Sequence, residues 1–169
     1  PAHAGTYNLR DNSVIEPIDE AASFSLTLGG IEATFNANIG ELNGTGSGFG
    51  INAPGAGDDT DNIDGDKGDE TVSVTFTKDV WFNYADVSAV GGADNFSVKV
   101  AANAAQNYSA SGSAGLGSSV FVPQGQSVQV SHVAGNGVSL DALNATLGKS
   151  AFFNLRDTAV IEPLDENPS

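Results

Sequence analysis

Apolar and polar residues alternate along this chain wherever apolar residues are dense: Phe24, Leu26, Leu28; Ile31, Ala33, Phe35; Val72, Val74, Phe76; Phe96, Val98, Val100; Val128, Val130. A period of two sets one face of a strand on a core and the other in water, and no stretch sustains the spacing of a helix. Gly29-Gly30, between the first two runs, tolerates positive φ, so residues 22–38 are predicted to form a tight hairpin. Further strands are predicted over 71–77, 80–84, 95–102, 118–122, 127–133 and 138–147, with Gly, Asn or Pro near the junctions. In the last of these the inward set passes from Val138, Leu140 and Ala142 to Leu143, Ala145 and Leu147, the phase slip of a β-bulge. Phe24, Leu26, Phe35, Val74, Phe76, Phe96, Val98, Val130 and Leu140 are the predicted core. Many short antiparallel strands without helices specify an all-β chain, an antiparallel β-sandwich of jelly-roll-like design.

A second pattern lies over the first. Residues 6–20 read TYNLRDNSVIEPIDE and residues 152–166 read FFNLRDTAVIEPLDE, identical at ten of fifteen positions. The chain therefore divides into a terminal strand segment (1–21), a sandwich core (22–148) and a second terminal strand segment (149–169). Each copy carries an apolar alternation broken by Glu-Pro, and proline donates nothing to a ladder, so each is expected as a strand at a sheet edge ending near Glu16 or Glu162. One segment present twice implies one docking surface used by two strands. The candidate assembly residues are Tyr7, Leu9, Arg10, Val14 and Ile15 in the first copy, and Phe152, Phe153, Leu155, Arg156, Val160 and Ile161 in the second. The expectation is a secreted structural protein that polymerises with other copies of itself into an extracellular filament or sheath, by strand exchange between subunits. The alternative is a Ca-dependent carbohydrate-binding or adhesion module in which both copies pair within one monomer. A tandem array with a period of 146 residues is a third possibility.

Charge narrows the partners. Six Lys+Arg face twenty-one Asp+Glu, a formal net charge of -15, which argues against nucleic acid because the phosphate-neutralising cations are missing. No apolar run is long enough to span a membrane. Abundant Gly, Ala, Ser and Asn without Cys or Met, with the small-x-small Ala2-His3-Ala4 near the start, suggest an exported, extracellular or cell-surface protein. The lack of Cys removes thiol catalysis and Cys-zinc sites, His3 and His132 lie in no nucleophile motif, and no enzyme is expected. The Gly-rich stretch 44–50 lacks the Lys of a phosphate loop and is expected to be a flexible loop.

Seven of the acidic residues fall within 58–70. Carboxylates so concentrated repel one another unless a hard cation binds them, and Ca2+ accepts six to eight oxygens in flexible geometry. The ligand candidates are Asp59, Asp61, Asp64, Asp66 and Glu70, with Asp141, which interrupts the last alternating strand, as a separate candidate. An EF-hand is ruled out because Ile63 falls where Asp or Asn is required. The bland alternative is a solvated acidic loop. In the WFNY cluster, alternation sends Phe82 and Tyr84 inward and Trp81 outward, where a sugar or a neighbouring subunit can stack on it.

The runs GFGIN, DDTDNIDGDKGDETVSVTFTKDVWFNYADVS and VSLDALNATL, over 49–147, resemble exported bacterial β-sandwich domains, including those of PEP-CTERM type surface proteins. These are similar in outline to Ca-binding carbohydrate-binding modules. Where members bind Ca2+, the resemblance implies positions within 59–70 and at Asp141. The repeated NLRD segment has no place in that pattern.

Overall fold

The computed structural model describes residues 4–16, 20–45, 48–55 and 61–147. In chain order these form β1 (Ala4–Asn8), α1 (Asn12–Ile15), β2 (Ser23–Leu28), β3 (Ile31–Ala37), β4 (Glu41–Gly44), β5 (Phe49–Asn52), β6 (Thr71–Phe76), β7 (Val80–Ser88), β8 (Asn95–Val100), β9 (Gln106–Tyr108), β10 (Gly112–Ala114), β11 (Val120–Val122), β12 (Ser127–Ala134) and β13 (Ser139–Leu147). One sheet runs β1-β13-β7, and the far edge of β7 is shared by β10 and β11. The other runs β2-β3-β6-β12-β8-β9, and every pairing is antiparallel. The chain crosses between these sheets repeatedly, as at β1–β2, β6–β7, β7–β8, β9–β10, β11–β12 and β12–β13, giving the expected all-β sandwich. No helix among the described residues is long and apolar enough to cross a membrane.

The strand periodicity translates directly into the core. Phe35 pairs with Val74, Val74 with Val128, and Val130 with Val98, so successive strands stack apolar positions on one face. Of the nine predicted core residues eight are buried, and Leu26, on the edge strand β2, is half-buried and packs against them. Gly29 and Gly30 both have positive φ (59° and 77°), the geometry that joins β2 to β3 in two residues.

Two expectations need correction. The Gly-rich stretch is no flexible loop: β4 and β5 form a separate hairpin whose Leu42, Phe49 and Ile51 are fully buried. Its glycines let backbones approach closely, and that hides an apolar pattern from a period-two scan. Tyr84 is not in the core. Asn83 is passed over where β13 pairs with β7, so the inward set slips from Val80 and Phe82 to Ala85 and Val87. In β13 itself the expected bulge falls at Asp141, which has no partner on β7.

Candidate functional site

The first copy of the repeat is docked on its own molecule. β1 lies along the edge of β13, with Thr6 opposite Asn144, Tyr7 opposite Leu143 and Asn8 opposite Ala142. The Leu9 N–H donates to the Asp141 carbonyl at 2.9 Å and carries the ladder one residue further. The expected strand to Glu16 then stops early. Asp11 accepts the Ser13 N–H at 3.1 Å and its hydroxyl at 2.6 Å, and its carbonyl accepts the Val14 and Ile15 N–H groups, so it caps the single turn α1. A helical turn changes the period, which separates Val14 (43% exposed) from Ile15 (fully buried).

Three side chains anchor the segment. Tyr7 sits edge-on to Phe35 and near Phe76, with centroids 6.2 and 6.4 Å away, and its hydroxyl donates to the Ile31 carbonyl at 3.0 Å. Leu9 is fully buried, and Ile15 fills the space a Cβ on Gly44 would take. These contacts tie the segment to β3, β4 and β6 as well as to β13. Each fully buried aliphatic side chain contributes roughly 1.5–3 kcal/mol.

Asp141 is the residue that the β13 bulge leaves unpaired with β7: Leu140 pairs with Val87 and Ala142 with Asp86. The bulge turns its carboxylate to Ser88 (2.8 Å) and Ser139 (3.4 Å), whose hydroxyls donate, and to Arg10 Nη1 at 3.3 Å. The Arg10 side chain is 39% exposed, so solvent screens the pair and limits it to about 1 kcal/mol or less. Its main effect is register, since a slip of one residue would part the charges and turn Tyr7 and Leu9 outward.

Burial pushes the Tyr7 hydroxyl from the usual 10.0 up to about 12. Below pH 10 the group is protonated in folded and unfolded chains alike. Above it the unfolded chain ionises first, so stability falls as pH rises toward 12, by up to about 2–3 kcal/mol. Denaturant melts at pH 9 and pH 11.5 should show a larger loss in the native chain than in Tyr7→Phe, which keeps only the contribution of Tyr108, also raised by burial. Equal losses would mean the hydroxyl is not held in this site.

The second copy, with Phe152, Phe153, Leu155, Arg156, Val160 and Ile161, lies outside the described residues. By sequence these positions correspond to Thr6, Tyr7, Leu9, Arg10, Val14 and Ile15. At the docked positions Leu, Arg and Ile are the same and Tyr becomes Phe.

The acidic loop is folded against the body. Ile63 is fully buried and exchanges backbone hydrogen bonds with Val138. Asp64 and Glu70 are buried together: the Asp64 N–H donates to Glu70 Oε2 at 2.9 Å, and the Glu70 N–H to the Asp64 carbonyl at 3.0 Å. Asp64 Oδ1 also accepts the Asp66 N–H at 2.8 Å. Asp61 accepts the Thr45 hydroxyl, Asp66 is exposed, and Asp59 lies outside the described residues. Among the described residues no three potential ligands come together as a metal site. Of the expected set, the structure joins Asp64 with Glu70 and gives Asp141 to Arg10.

Trp81 faces outward as expected, 42% exposed, and leans on Phe121 across the β7–β11 pairing at 5.4 Å. The strand over 118–122 was expected, but Phe121 as the partner of Trp81 was not, because that contact depends on the pairing of β11 with β7. Beside the pair runs a polar ladder: Ser119 donates to Asn83, Asn83 to Asn144 and Thr146, and Asn144 to Thr6 at 2.7 Å. Asp94 is buried and accepts the Gly91 and Asn136 N–H groups, a loop staple that only the folded chain assembles. His132 stands on β12 between Asp69 and the Gly135 carbonyl, as a sheet residue.

No family model, curated protein or solved structure matches this chain.

Proposed function

We propose that this is a secreted structural protein whose copies join into an extracellular filament or sheath, the second repeat segment of one chain taking the β13 edge of another. One observation carries the reading: the contacts that dock the first copy, made by Tyr7, Leu9, Arg10 and Ile15, fall on positions that the second copy repeats or conserves in shape. A surface that accepts one accepts the other. Because donor and acceptor lie on different parts of the chain, the contact is head to tail and generates an open series of subunits. The acidic, Cys-free composition and the resemblance to exported sandwich domains support a place outside the cell.

The first copy must leave its seat for this to occur, so the test weakens it alone. Leu9→Ala should lower stability by about 2–4 kcal/mol and drive association with rising concentration, seen by sedimentation and negative-stain microscopy. Adding Leu155→Ala should abolish that association. A Leu9→Ala chain that stays monomeric, or a double variant that associates equally, would sink the proposal.

A second reading, a Ca-dependent glycan-binding or adhesion module, draws on the exposed Trp81–Phe121 pair beside a ladder of amides and hydroxyls. An aromatic face beside neutral polar groups suits a polysaccharide better than a charged ligand. Affinity electrophoresis in neutral polysaccharide gels should show retardation that Trp81→Ala removes. Calorimetry with Ca2+ checks the metal, and an absence of heat at millimolar concentration rejects it.

A further inference from the structure

We infer that Thr6 and Tyr7 rank the two repeat segments at one seat, making the first copy a resident cap and the second, from another copy of this chain, a weaker ligand for the same edge. This rests on the assembly reading and adds what decides the occupant. The seat comprises the edge of β13 that β1 covers, the Phe35 and Phe76 rings beside Tyr7, and the Asp141 carboxylate. Shifting the β1 register by the repeat period of 146 residues sets Phe152 opposite Asn144 and Phe153 opposite Leu143. Leu155 then meets the Leu9 site and Arg156 meets Asp141, with no change of residue.

Two hydrogen bonds to the seat are lost in that exchange, besides the Ser13 hydroxyl bond to Asp11 within the first copy, for which Ala159 has no donor. The Tyr7 hydroxyl donates to the buried Ile31 carbonyl, and Phe153 has nothing to donate. Thr6 Oγ1 accepts the Asn144 amide at 2.7 Å, and Phe152 has no acceptor. Each net hydrogen bond corresponds to on the order of a few-fold to tenfold in occupancy, so the second copy is ranked roughly ten- to a hundredfold below the first. A chain carries two such segments and one such seat. With the stronger segment resident, a neighbour's seat opens to the second only once that neighbour's first copy is displaced.

The test titrates labelled peptides of residues 5–20 and 151–166 into the full chain, with anisotropy reporting binding and hydrogen exchange along β13 reporting its location. The first peptide should compete for the seat roughly ten- to a hundredfold better than the second. Restoring the two groups in the second peptide, Phe152→Thr with Phe153→Tyr, should bring it level with the first. In a full chain carrying Thr6→Phe and Tyr7→Phe, the unaltered second peptide should enter more readily by a similar factor. Equal affinities of the two natural peptides, or a restored peptide that binds no better, would overturn the inference even if the doubly substituted chain fails to fold. Ranked peptides with a Leu9→Ala chain that never associates would remove the assembly reading and leave the seat hierarchy standing. Association without any peptide at β13 would do the reverse.

Discussion

Phe35→Ala should cost about 3–5 kcal/mol, the range for emptying a fully buried aromatic site. Phe35 stacks on Phe24 at 5.2 Å and meets Tyr7 and Phe49 edge-on at 6.2 and 6.4 Å. It therefore joins the second sheet to the docked repeat segment and to the β4–β5 hairpin. These neighbours sit on three different strands and cannot all collapse into one void, which places the cost toward the upper end. For a domain of this size the melting temperature should fall by roughly 6–20 °C in scanning calorimetry. Backbone exchange should also quicken at Tyr7 and Leu9 before it does at Val98 or Val130. A loss below about 1 kcal/mol would mean that Phe35 is not the hub these distances describe.

Gly50→Ala should detach the acidic loop, at about 3 kcal/mol or more. A Cβ on Gly50 would overlap the backbone of Asn62, and main chain, unlike a side chain, has no rotamer by which to give way. Moving Asn62 breaks the bond from the Ile51 N–H to its carbonyl (2.9 Å) and pulls on Ile63, whose bonds to Val138 measure 2.7 and 3.1 Å. Three hydrogen bonds and the burial of one isoleucine are at stake, each worth of order 1 kcal/mol or more. Lys67 is exposed within this loop, so trypsin provides the readout. Cleavage there should run at least tenfold faster in the variant than in the native chain. Equal rates would show that β5 does not clamp the loop.

The regular strands of the second sheet were legible in the chain itself. β2, β3, β6, β8 and the first half of β12 alternate, because each sets one face toward the core, and that requirement acts residue by residue. The two glycines of the first hairpin were legible for an equally local reason, the φ they permit. The repeat, and the likeness of Tyr7, Leu9, Arg10 and Ile15 to their counterparts near the other end, needed only comparison of the chain with itself.

Short elements and convergent side chains were not. β4, β5 and β10 lie in glycine- and serine-rich sequence whose burial depends on what packs over it, as Gly50 under Asn62 illustrates. The bulges at Asn83 and Asp141 arise where β7 and β13 must match each other, so they belong to a pair of strands and to neither alone. Arg10 and Asp141 are 131 residues apart, and only the β1–β13 register makes them partners. Asp64 and Asp141, equivalent as acidic residues in a string of letters, take opposite roles: the first is buried with Glu70, the second is turned by a bulge toward an arginine. Alternation, turn chemistry and internal repetition follow from neighbours in sequence, and those the chain states by itself. Which carboxylate meets which cation, and which edge receives the repeated segment, depend on neighbours in space, and those were settled by the packing of the two sheets.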